Sequence, residues 1–215
     1  MRENKYIAFK FINMTKLESN LYSLVFLATR LKLSVKSLQN VIQNKGYIDE
    51  VKFSQDFYKS IGFANSIGAV ISEYTIVQFC SFLDEYKNFN PRNHQEEHSS
   101  RIIKVRIKNK YGLQRIQQWK DLYRYRNQIA AHNLNIKNTP ILETHELIKY
   151  NIPDTIEEKI LFQNIVVKMC NNIFEEFSEI RDSFDYSFNL GKKLEVISNV
   201  EFDLERELEL VEENM

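Results

Sequence analysis

Leu17, Leu21, Leu24, Ala28, Leu31, Val35, Leu38 and Ile42 follow one another at alternating intervals of four and three. That spacing puts them on one stripe of a helix and predicts a long amphipathic helix from about Lys16 to Gln43. A second recurrence, Ile61, Ala64, Ile67, Ile71, Tyr74, Val77 and Phe82, predicts a helix over roughly Phe57 to Tyr86. Gly62 and Gly68 weaken that helix or let another backbone approach it closely. A third helix is expected from Leu113 to His132. The fourth runs from Thr155 to about Asp182, with Thr155 as N-cap and Glu157 and Glu158 in its first turn, where acids favour the helix dipole.

None of the four patterns contains an internal proline, and the stretches between them read as connections. Asn88 to Asn93 carries Pro91 among asparagines, and Asn133 to Pro153 is polar and punctuated by Pro140 and Pro153. The expected fold is therefore all-α, an up-and-down bundle of four long helices with short additional helical or strand pieces. Two segments are ambiguous. Ile103, Val105 and Ile107 alternate with Lys104, Arg106 and Lys108 at a strand-like period, and Tyr6 to Ile12 is short, aromatic and apolar. Residues 1–190 are expected to form one helical domain, and 191–215 an acidic tail or short helix.

Composition agrees with this picture. Hydrophobic residues make up 43% of the 215, while only 5 glycines and 3 prolines are present, too few for the tight turns of an all-β chain. Cys80 and Cys170 lie inside apolar periodic segments, outside any paired-cysteine cluster, and read as reduced core residues. No clean signal-peptide core follows Met1, and the most apolar stretch, Leu21 to Val35, is interrupted by Arg30 and Lys32 short of a membrane span. The expectation is a soluble cytoplasmic protein with no membrane partner. The net charge of zero conceals a dipolar chain. Nine basic residues between Arg101 and Arg126 face the single acid Asp121, whereas from Leu194 to Met215 eight acids face only Arg206. A basic run is either a surface for a polyanion or a solvated helix face.

Within that run one cation is out of place. At about 100° per residue, Leu113, Ile116, Trp119, Leu122, Tyr123, Ile129 and Ala130 share a broad face with Arg126 near its centre. A charge withdrawn from water without a partner costs several kcal/mol, so Arg126 is expected to face a carboxylate, a second subunit or an anionic ligand. One reading pairs Arg126 with a buried acid such as Asp84 or Glu85 on the second helix and leaves His132 an ordinary C-terminal cap. Six residues separate Arg126 from His132, about 240° of rotation and roughly 9 Å of rise. The two converge only where the helix ends or bends near Ala131, or where a second copy supplies one of them.

The run Tyr125-Arg126-Asn127-Gln128-Ile129-Ala130-Ala131-His132 resembles the signature of the HEPN superfamily: an arginine followed by a polar residue, then a histidine four to six residues on. Its place near the end of the third helix, ahead of a loop and one more long helix, is similar to that family's bundle. The architectural resemblance covers roughly residues 16–186 and the motif only 126–132. It implies a metal-independent endoribonuclease in which a homodimer brings two motifs into one cleft, a toxin or defence effector with RNA as substrate and an antitoxin or regulatory protein as a further partner. No metal or other cofactor is implied. Arg126 would stabilise charge on the phosphorane, His132 would move protons near neutral pH, and Asn127 would position the arginine or the phosphate. Leu134 stands where many toxin-like members carry a tyrosine, so regulation through that tyrosine is not implied. The alternative within the same fold is a non-catalytic module that binds RNA, a nucleotide or a protein.

Around this motif, Lys120 and Arg124 are candidate phosphate contacts and Tyr125 a candidate platform for a base; each also reads as an ordinary surface or half-buried residue. His94 and His98 have the spacing of half a metal site but lack a third ligand nearby, and His145 stands alone after a loop. A phosphate-cradling glycine loop and a GxSxG elbow are both missing, which argues against P-loop nucleotide hydrolysis and serine hydrolysis.

Overall fold

The computed structural model describes residues 14–44, 63–127 and 150–183. Among them the ordered elements are helices: α1 (Lys16–Gln43), α2 (Phe63–Asn88), a 3-10 turn at Pro91–Asn93, α3 (Glu96–Lys108), α4 (Lys110–Ile116), α5 (Leu122–Tyr125), α6 (Ile156–Glu176) and α7 (Ser178–Ser183). The chain divides into two units between Arg181 and Asp182, and these helices lie in the first apart from the last two residues of α7. The segment Tyr6 to Ile12 and the acidic stretch 191–215 lie outside the described residues.

Helix α1 begins at a reciprocal cap. Thr15 Oγ1 accepts from the Glu18 N–H at 3.2 Å, and a Glu18 carboxylate oxygen accepts from the Thr15 N–H at 2.7 Å. The same box opens α6, where Thr155 and Glu158 exchange bonds at 3.2 Å each. The expected cap at Thr155 is thus present, and Glu158 also serves the Asp154 N–H at 2.9 Å. These bonds outweigh the partial burial of Glu158, and its pKa lies below the usual carboxylate range.

Along α1 the expected stripe is buried from Leu17 to Leu38, but Ile42 is exposed. On α2 the buried face differs in phase from the expected one. Ile76, Phe79, Cys80, Phe82, Leu83 and Tyr86 are inside, whereas Tyr74 is exposed. The reason is that α2 carries apolar residues on more than one side, so two stripes compete in the sequence. The aromatic one wins because Phe79 lies flat on Phe162 of α6, ring centroids 3.8 Å apart. Cys80 and Cys170 are both buried as free thiols, and burial raises their pKa values to about 11 and about 12.

Residues 103–107 are helical. Ile102 and Val105 of α3 point inward at helical spacing, and Ile103 and Ile107 are exposed. The alternation of apolar and basic residues is therefore incidental to a helix that buries the neighbouring positions.

The third expected helix, Leu113 to His132, is not continuous. The chain turns at Gln117–Asp121 between α4 and α5. The backbone N–H of Trp119 donates to the Ile116 carbonyl at 3.1 Å, and the Asp121 N–H leaves the helix for the Asn151 carbonyl at 3.1 Å. Asn151 closes the clasp: its Oδ1 accepts from the Lys120 N–H and its own N–H donates to Asp121 Oδ2. The turn lays Trp119 onto Phe162, ring centroids 5.6 Å apart, with the Arg115 guanidinium 4.3 Å from the indole. An apolar stripe computed on one straight helix therefore does not describe this segment.

Two glycines separate by what surrounds them. A Cβ at Gly112 of α4 would sit 2.9 Å from Ile165 Cγ2, while one at Gly68 of α2 would meet its nearest neighbours at 3.9 Å. Overpacking costs about 1–3 kcal/mol and helix propensity returns at most about 1 kcal/mol. Gly112→Ala is therefore expected to lower stability by about 1–2 kcal/mol in urea denaturation. Gly68→Ala is expected to raise it by about 0.5–1 kcal/mol. Equal effects at the two positions would contradict the close approach at Gly112.

Lys159, in the first turns of α6, is 1% exposed. Its ammonium donates to the Asp154 carbonyl. Burial lowers its pKa, while Asp154 and Glu158 pull the other way. A buried cation with so little compensation is replaceable, and Lys159→Met is expected to stabilise by about 1–2 kcal/mol at pH 7. Because the folded pKa lies below the unfolded value, the unfolded chain binds more protons as pH climbs towards 10.5, and the wild type gains stability there. The advantage of Lys159→Met should therefore shrink between pH 7 and pH 10; a constant or growing advantage would refute the assignment.

Candidate functional site

The end of α2 and the short α5 meet at one carboxylate. Asp84 Oδ2 accepts from Arg126 Nη1 at 2.9 Å, and Asp84 Oδ1 accepts from the Tyr123 hydroxyl at 2.9 Å and from Lys87 Nζ at 3.1 Å. Lys87 also donates to the Tyr123 hydroxyl at 3.0 Å and lies 4.4 Å from its ring centroid, with the Arg126 guanidinium 5.0 Å from the same ring. Arg126 Nε donates to Asn127 Oδ1 at 3.0 Å. The side chains are 25% exposed for Arg126, 47% for Asp84 and 66% for Lys87, so the cluster sits at the surface.

Local structure explains this arrangement. Asp84 and Lys87 are three residues apart on α2 and share a face, as do Tyr123 and Arg126 across α5. The α5 helix has a single turn, and Arg126 and Asn127 continue it in a wider, π-type turn. Partial burial works against ionisation of Asp84, but hydrogen bonds from Tyr123, Lys87 and Arg126 outweigh it and lower its pKa. Tyr123 is shifted upward, first by burial, with Lys87 opposing and Asp84 reinforcing. Near neutral pH the cluster thus holds one carboxylate, two cations and a neutral phenol. It can grip an anion, but it contains no group that titrates near neutrality. Cys80, one turn before Asp84, is a buried thiol with its pKa raised to about 11 and is not an accessible nucleophile.

Of the residues singled out in the sequence, Arg126 and Asn127 are brought together and His132 lies outside the described residues. The carboxylate partner foreseen for Arg126 is Asp84, half-exposed rather than buried. Lys120 is exposed, its backbone tied to Asn151. Arg124 reaches Asp121 at 3.8 Å and lies 5.2 Å from the Tyr150 ring. Tyr125 is half-buried and meets Tyr150 edge-on at 5.3 Å. Burial first, then Glu73, Asp154 and Tyr150, raises its pKa to about 12. That aromatic contact already occupies part of the surface a base would need. Sequence reasoning missed Lys87 and the hydroxyl of Tyr123; their i, i+3 spacings from Asp84 and Arg126 were the available signal.

No family model, curated protein or solved structure matches this chain.

Much of the basic run is engaged within the fold. Arg101 binds Glu179 at 2.6 Å and approaches Glu176, Lys104 binds Glu176 at 2.6 Å, and Lys108 pairs with Glu175. Arg106 donates to the Phe89 carbonyl at 2.7 Å. Acids of α6 and α7 therefore pair with Arg101, Lys104 and Lys108 of α3, while Arg106 is held by a backbone carbonyl. His94 precedes α3 and has its Nε2 3.1 Å from the Asn88 carbonyl, while His98 approaches Glu97 at 3.3 Å. Both rings pack on aromatic neighbours, His94 on Phe89 and His98 on Phe177. Among the described residues no group of three or more His, Cys, Asp or Glu is arranged to hold a metal, and no helix is long and apolar enough to cross a membrane.

Proposed function

We propose that this chain is a HEPN-like, metal-independent endoribonuclease that acts as a homodimer, with Arg126, Asn127 and His132 as its reacting set. The observation that carries the reading is the state of Arg126. Its guanidinium is oriented by Asp84 and Asn127, yet it remains partly exposed, and two of its five N–H donors have acceptors among the described residues. Such a group is held ready for the oxygens of a phosphodiester. In the proposed reaction the RNA 2′-oxygen attacks phosphorus and the bond to O5′ breaks. The proton leaving the 2′-hydroxyl is balanced by one delivered to O5′, giving a 2′,3′-cyclic phosphate and a 5′-hydroxyl. The described cluster offers no group suited to that transfer, and histidine chemistry assigns it to His132. A toxin or defence role in the cytoplasm, held in check by an antitoxin or regulatory protein, belongs to the same proposal.

The pairing of Arg126 with Asp84 inside one subunit favours a second reading, a non-catalytic helical protein: a structural all-α interaction protein unrelated to that family, or a module of the same fold that binds RNA, a nucleotide or a protein. Incubation of the purified chain with mixed RNAs in EDTA separates the two. Fragments ending in 2′,3′-cyclic phosphate are expected for the enzyme. RNA binding without cleavage would favour the module, and cleavage only on addition of a divalent metal would overturn the proposed mechanism.

A further inference from the structure

We infer that Lys87 is a second RNA-phosphate contact of the Arg126 site, held beside the guanidinium by Asp84. The inference rests on the ribonucleolytic reading above and adds to it a residue outside the Arg126–His132 motif. One carboxylate is straddled by two cations, Arg126 on Oδ2 at 2.9 Å and Lys87 on Oδ1 at 3.1 Å. Both are therefore fixed against the same small two-oxygen group, and the non-bridging oxygens of a phosphodiester present a comparable face to the pair. Two positive charges against one negative leave the cluster at +1, so Asp84 orders the cations without neutralising them.

Lys87 is not a loose surface lysine. Its Nζ is fixed by the Tyr123 hydroxyl at 3.0 Å and lies over the Tyr123 ring at 4.4 Å, and two of its three donors are used among the described residues. Its side chain is 66% exposed, so an incoming phosphate meets it without rearrangement of the core. On α3, by contrast, Arg101, Lys104 and Lys108 are matched charge for charge by Glu175, Glu176 and Glu179.

The test measures binding of a fluorescent 2′-O-methylated RNA, which lacks the attacking hydroxyl, to the full chain at several salt concentrations. Lys87→Gln is expected to weaken binding about three- to tenfold at low salt and to reduce the slope of log affinity against log salt by about 0.7. Lys87→Arg should restore most of both, and Lys36→Gln on exposed α1 surface should change neither. Thermal melts verify that each variant is folded. An unchanged affinity and slope in folded Lys87→Gln, with Arg126→Gln still weakening binding, would overturn this inference alone. Absence of RNA binding by the wild type would overturn the ribonucleolytic reading and this inference together.

Discussion

Arg126→Ala is expected, on the proposed ribonucleolytic function, to slow RNA cleavage by about 10²- to 10³-fold, the loss seen when one preorganised donor to a developing oxyanion is removed. The same substitution should cost the fold less than about 1 kcal/mol, because the Arg126–Asp84 pair is 25% and 47% exposed and surface ion pairs contribute little. This dissociation of activity from stability is the informative result. A purely structural ion pair would leave the cleavage rate of the folded variant unchanged. Arg126→Lys keeps the charge but not the planar fork and should fall between wild type and alanine. His132→Ala should reduce the rate by about 10²- to 10⁴-fold, the range for a positioned acid–base group. Cleavage unaltered by both alanine substitutions would sink the site assignment.

The largest stability effect is expected at Phe162. Its side chain is fully buried, stacked on Phe79 at 3.8 Å and on Trp119 at 5.6 Å between ring centroids. It thus ties α6 to α2 and to the turn between α4 and α5. Removing the ring leaves a cavity against two aromatic neighbours that cannot both collapse into it, and Phe162→Ala should lose about 3–5 kcal/mol. Its sequence neighbour Leu161 is 39% exposed, and Leu161→Ala should cost less than about 1 kcal/mol. Urea denaturation of the two variants provides the comparison. A loss below about 1.5 kcal/mol at Phe162 would mean that the stack does not organise the core.

What could be read from the sequence depended on how local the cause was. The α1 stripe and the Thr155 cap follow from spacing within a single element, and both are present. Helical character at 103–107 was ambiguous because six residues satisfy two periods at once; the burial of Ile102 and Val105 decides it. The break at Gln117–Asp121 was illegible for a different reason: it depends on Asn151, some thirty residues downstream, which takes over the backbone of Lys120 and Asp121. At the candidate site the oddity of Arg126 and the availability of Asp84 were both legible. The tyrosine hydroxyl and the second cation were not, because they become neighbours only when α5 docks on the end of α2.

The Asn151 clasp brings two distant points of the chain together. The described chain leaves α5 through Asn127 and is described again from Tyr150, ahead of α6, beside bonds that join Lys120 and Asp121 to Asn151. His132 is bound by covalent reach, since six residues extend at most about 21 Å from Arg126. Insertions beyond His132 leave that tether intact, whereas insertions between Arg126 and His132 lengthen it directly.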